Sequence, residues 1–156
     1  MKPRVMMRVE RDGEVEYDGA MMKEGYALTV RDGDVLIVEA FIIMPEMEYE
    51  YLPRTLPIFF SIKPNTVEPP VSYLEKPARY NKDAECYEAK LELEIKRQWF
   101  INEKVKTLAA QYPGGDEVIY VKHEWKRLGR LGWLSKKRVR AILEDDSTYI
   151  NLIFYE

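Results

Sequence analysis

Asp83-Ala84-Glu85-Cys86-Tyr87-Glu88-Ala89-Lys90-Leu91-Glu92-Leu93-Glu94-Ile95-Lys96 is the stretch on which the fold class turns, because two periodicities compete over it. Residues 83–111 contain no Gly or Pro and are rich in Glu, Ala, Lys and Leu, all good helix formers. Asn81 or Asp83 can cap a helix start, and Pro113-Gly114-Gly115 would end it. At helical spacing Ala84, Tyr87, Leu91, Ile95, Val105, Ala109 and Tyr112 share a face. Yet Ala89, Leu91, Leu93 and Ile95 also alternate with Lys90, Glu92, Glu94 and Lys96, as in a half-buried strand. β-Branched residues are scarce between 83 and 94, so composition favours one long helix near 82–112, with a break near Trp99 as a variant.

On the N-terminal side, residues 1–44 read as antiparallel strands. Val5, Met7 and Val9 alternate with polar neighbours, and Arg11-Asp12-Gly13-Glu14 offers a turn. Asp32-Gly33 between the apolar runs 26–30 and 35–38 predicts a hairpin. Residues 45–77 hold seven of the nine prolines, which bars a long helix and leaves an extended connection around a short strand at 58–62. On the C-terminal side, 118–121 and 148–155 read as strands. Between them, 135–144 reads as a helix capped by Ser135, or else 138–143 as a strand pairing with the last one. The expectation is a single α+β domain over 1–156, mainly antiparallel sheet with one long helix; the alternative is a C-terminal winged helix with 135–144 as its recognition helix.

Composition bounds the function. With 46% hydrophobic residues the chain can fold, which excludes disorder. Its most apolar stretch, 35–44, is far below the ~18 residues a spanning helix needs, so no membrane partner is expected. One cysteine, Cys86, excludes an internal disulfide and a cysteine zinc site, and the start Met1-Lys2-Pro3-Arg4 lacks the apolar block of a signal peptide. Both point to a reducing, cytoplasmic location. Only 15 Ser, Thr, Asn and Gln stand against 19 Glu and 13 Lys, the pattern of a heat-adapted protein, such as one from an archaeon or an archaeal virus.

Charge is the strongest functional clue. Lys122, Lys126, Arg127, Arg130, Lys136, Lys137, Arg138 and Arg140 face a single acid, Glu124, so 122–140 carries +7 while the rest of the chain carries −10. Clustered cations are what a polyanion requires, which nominates these eight residues as a nucleic-acid (DNA or RNA) contact. Trp125 and Trp133 lie within the segment and could stack on bases, although large aromatics more commonly fill a core. The competing reading is a solvated face paired with acids elsewhere. His123, the only histidine, has no ligand partners at a useful spacing.

Carboxylates supply a second possibility. On a helix Glu85, Glu88 and Glu92 share one face and could hold Mg²⁺ or Mn²⁺ for phosphodiester cleavage, with Asp116 or Glu117 completing the catalytic set. On a strand, Asp83 with Glu94-Ile95-Lys96 resembles the Asp…Glu-x-Lys pattern of many nucleases. Gly114-Gly115-Asp116-Glu117 resembles the Gly-Gly-Asp-Glu turn of diguanylate cyclases over those four residues, without the acidic strand and helix pair expected upstream in that family. Those letters also make a good turn. Three classes remain: a nucleic-acid-binding protein, a metal-dependent nuclease whose catalytic and metal residues are Glu85, Glu88, Asp116 and Glu117, and a homo-oligomeric structural protein using some of its eleven tyrosines.

Overall fold

The computed structural model describes residues 1–23, 25–128 and 131–156, and only the backbone of 126–128 and 131–134. The fold is almost entirely β. Its strands are β1 (Arg4–Arg11), β2 (Glu14–Asp18), β3 (Ala27–Val30), β4 (Val35–Ile43), β5 (Glu48–Tyr51), β6 (Thr55–Pro64), β7 (Ser72–Asn81), β8 (Cys86–Glu94), β9 (Val105–Tyr112), β10 (Glu117–Leu128), β11 (Leu131–Ile142) and β12 (Asp146–Phe154), with one 3-10 turn at Arg97–Phe100. Nine strands form one sheet in the order β2-β1-β4-β8-β7-β6-β9-β12-β3, and three form another, β11-β10-β5. Among the described residues every pairing is antiparallel except β12 with β3. The large sheet curls until β1 meets β12, where Val5 N donates to Asp146 Oδ2 at 2.7 Å and Glu144 N to Met1 O at 2.8 Å. The result is a nearly closed barrel. Beside the seam, Tyr17 of β2 stacks on Tyr26 at 5.7 Å and Arg11 Nη1 donates to Thr29 O at 2.8 Å.

This architecture overturns the α+β expectation. The helix expected near 82–112 is instead β8, the 3-10 turn and β9. Along β8, Tyr87, Ala89 and Leu93 are buried and Lys90, Glu92 and Glu94 exposed, which is the period-two alternation. β4 pairs with β8 from Ile43↔Cys86 to Val35↔Glu94, and β7 takes its first three residues on the other side. Helix propensity separates most residues by only ~0.7 kcal/mol, so burial of these apolar side chains in the barrel decides the contest. The 3-10 turn falls near Trp99, where the sequence suggested a break.

The winged-helix alternative fails too, since 135–144 runs through β11 into the following loop, and β11 pairs with β10, not with the last strand. The turn at Asp12-Gly13 links β1 to β2 with both residues at positive φ. The turn at Asp32-Gly33 also exists, but its strands diverge, β3 to β12 and β4 to β1 and β8. No helix among the described residues is long and apolar enough to cross a membrane.

The inward faces supply the core: Val5, Met7 and Val9, then Leu36, Val38 and Ile42, then Leu56, Ile58, Phe60 and Ile62, joined by Leu108, Ile150 and Leu152. Lys106 breaks this pattern. It alternates with Leu108 and Ala110 on β9, its side chain is only 4% exposed, and Nζ lies 3.6 Å from Glu103 Oε2 and 3.4 Å from Glu103 O. A buried ammonium stripped of its carboxylate costs more than an apolar replacement of similar length. Glu103→Ala is therefore expected to lower stability by ~3 kcal/mol and Lys106→Met by less than ~1 kcal/mol in urea denaturation. A larger loss from Lys106→Met would overturn the assignment.

Candidate nucleic-acid interface

β10 and β11 pair through twelve successive residues, from Glu117↔Ile142 to Leu128↔Leu131. β5 accompanies β10 only from Tyr51↔Ile119 to Glu48↔Val121. Beyond Val121 the sheet is a two-stranded ribbon. Its root is fixed by one face, where Val118 is buried and Ala141 and Tyr49 pack on the barrel core. Strand alternation places Ile119, Val121, His123, Trp125, Lys136, Arg138 and Arg140 on the opposite, outward face.

The structure therefore divides the basic segment by pleat. Lys136, Arg138 and Arg140 lie on the outward face, whereas Lys122 and Lys137 stand opposite each other on the root-side face. Like charges so placed repel, and Glu124, 3.7 Å from Lys122 Nζ, relieves this in part. The side chains of Lys126 and Arg127 and all of Arg130 lie outside the described residues, as does the side chain of Trp133.

Acids brought in by the fold offset the rest. Arg138 Nε meets Glu50 Oε2 at 2.6 Å, Arg140 Nε meets Glu117 Oε1 at 3.0 Å, and His123 Nε2 lies 3.3 Å from Glu48 Oε2. Set against Glu48, Glu50 and Glu117, the +7 of residues 122–140 becomes +4. Both arginine side chains remain nearly four-fifths exposed, so these pairs are weak and exchangeable. Trp125 is 76% exposed and no part of the core. β11 also forms an outer edge, and Lys and Arg on an unpaired edge strand hinder its pairing with another chain.

Glu48 and Glu50 were missed in the sequence because they sit in the proline-rich stretch read as a connection. The signal was the alternation of Glu48, Tyr49, Glu50 and Tyr51.

The proposed metal carboxylates are dispersed. Glu85 lies in the β7–β8 turn at φ +53°, whereas Glu88 sits on β8 beside Asn81 Nδ2 (3.4 Å) and Cys86 Sγ (3.8 Å). The helical face that was to unite Glu85, Glu88 and Glu92 does not exist. Burial, then the charge of Glu88, pushes the Cys86 thiol up to about 11, which leaves it a poor nucleophile. Asp116 accepts the Tyr112 hydroxyl at 2.5 Å, and Glu117 is held by Arg140. Asp83 lies in the turn before β8 and Glu94 ends that strand, so the eight residue steps of β8, ~26 Å, lie between them, too far to share an ion. Among the described residues no three His, Cys, Asp or Glu are grouped to hold a metal.

Comparison with protein-family models, curated proteins and solved structures finds no match to this chain.

Proposed function

We propose that this protein binds nucleic acid through the β10–β11 ribbon. The observation that carries the reading is the length of that ribbon beyond its third strand, with lysines and arginines on both faces and a net positive charge in an otherwise acidic chain. Cations clustered along a ribbon that runs on past its third strand can meet successive phosphates of a nucleic acid. The same charges on the outer edge discourage strand pairing between copies, which weighs against an assembly role for that edge. The dispersed carboxylates favour binding without cleavage.

The test is a fluorescence anisotropy titration of nuclease-treated protein with labelled single- and double-stranded oligonucleotides at several salt concentrations. Affinity is expected to fall steeply with salt. Replacing Lys136, Lys137 and Arg138 together by Ala should weaken binding at least ten-fold and reduce the log–log salt slope by about 2 to 3. Absence of binding to either substrate, or an unchanged slope in the triple variant, would remove the ribbon from consideration.

A further inference from the structure

Three parallel columns run along the outward face of the small sheet, and each has a different chemistry. On β11 the column is cationic: Lys136, Arg138 and Arg140. On β10 it is apolar and aromatic: Ile119, Val121, His123 and the 76%-exposed Trp125. On β5 it carries two carboxylates and a tyrosine: Glu48, opposite Val121, Glu50, which reaches Arg138 across the face, and Tyr51, opposite Ile119. The columns are in register, His123 facing Lys136, Val121 facing Arg138 and Ile119 facing Arg140.

Same-face residues along a strand repeat every ~6.6 Å, and β5 lies two strand spacings, ~9.5 Å, from β11. The first repeat suits successive phosphates of an extended strand. The second is of the order of the distance from a phosphate to the far edge of its own base.

We infer that this face holds one single nucleic-acid strand lengthwise, with phosphates on Lys136, Arg138 and Arg140, bases over the β10 column ending on Trp125, and base amino groups toward Glu48 and Glu50. The inference rests on the nucleic-acid reading above and narrows it to a substrate class. Exposed arginine–glutamate pairs are worth little, so a phosphate can replace Glu50 on Arg138 and Glu117 on Arg140. The released Glu50 can then accept a hydrogen bond from a base N–H, as carboxylates do from cytosine N4. A duplex fits this face poorly. Its second backbone would approach the carboxylates of β5, and its stacked bases could not lie on Trp125. Stacking on an exposed aromatic is tolerant of base identity. The carboxylates add a bias toward bases that carry an amino group over thymine or uracil.

Binding of the intact chain to oligo(dC), oligo(dT) and a mixed-sequence duplex of equal length, at one salt concentration, separates the outcomes. The single strands should bind at least ten-fold more tightly than the duplex, and oligo(dC) more tightly than oligo(dT). Trp125→Leu, which alters only an exposed side chain, should weaken single-strand binding about ten-fold and leave weak duplex binding unchanged. Glu48→Gln with Glu50→Gln should erase the preference for oligo(dC). Tight duplex binding, or single-strand binding indifferent to Trp125→Leu, would overturn the single-strand assignment while leaving the ribbon as a nucleic-acid contact. Absence of binding to every substrate would dispose of both.

Discussion

Gly114→Ala is expected to destabilise the protein by about 3 kcal/mol, a large share of the 5–15 kcal/mol that holds a typical domain together. Gly114 has φ +79°, and a Cβ built there lies 2.7 Å from Asp145 N and 3.0 Å from Glu144 C. Both neighbours are backbone, which cannot swing aside as a side chain would. The cost combines left-handed strain with an overlap between two chain segments. Its neighbour is the internal control. Gly115, at φ +94°, has nothing within 4 Å of its Cβ position, so Gly115→Ala should cost only about 1 kcal/mol. Urea denaturation of the two variants measures the difference, and equal losses would refute the crossing argument. Gly114 is thus required by a close approach of the loops that follow β9 and β11, a structural reason for the first of the four letters shared with cyclase turns.

The second large effect is alkaline. Tyr87 and Tyr112 are wholly buried, Tyr87 donating to Pro53 O at 2.6 Å and Tyr112 to Asp116 Oδ2 at 2.5 Å. Burial first raises both hydroxyls well above the ordinary tyrosine value of 10; the Asp116 bond then raises Tyr112, and neighbouring acidic groups raise Tyr87. Half-buried Tyr49 is pushed up to about 12 by burial and by Tyr120 and Tyr80. In the unfolded chain these groups ionise near pH 10, while in the folded chain they keep their protons. Above pH 10 the folded state therefore binds more protons, and stability must fall as pH rises. Each fully buried tyrosine contributes a slope of about 1.4 kcal/mol per pH unit, so Tyr87 and Tyr112 together remove about 3 kcal/mol per unit above pH 10. Tyr49, partly solvated, adds less. Denaturation midpoints between pH 8 and 12 should show this slope, and Tyr112→Phe should flatten it while lowering stability at pH 8, where Asp116 loses its donor. A pH-independent midpoint over this interval would be inconsistent with buried, hydrogen-bonded hydroxyls.

Individual strands, though not the barrel they build, were legible where alternation and turn chemistry agreed, as at Val5, Met7 and Val9 leading into Asp12-Gly13. They were illegible where local and global preferences conflict. Lys90, Glu92 and Glu94 favour helix as isolated residues, but the apolar partners between them can be buried together only against β4, more than forty residues earlier in the chain. The same limitation hid the charge balance. Counting Lys and Arg over 122–140 finds the ribbon's sign, but Glu48 and Glu50 join it only through β5. Trp125 illustrates the converse: burial is common for tryptophan, but alternation places it on the ribbon's outward face, where it stands in solvent.

The seam between β1 and β12 has a kinetic consequence. Val5 finds its partner at Asp146, 141 residues away, so β1 is completed only when β12 reaches it. No local hairpin can supply that contact, so the search for it carries the loop-closure entropy of almost the whole chain. Such topology belongs to the slow class, folding in milliseconds to seconds, and until β12 is made the apolar inner faces of the earlier strands have no closed cavity to occupy. The order of synthesis thus makes barrel closure a late event, possible only once β12 has been made.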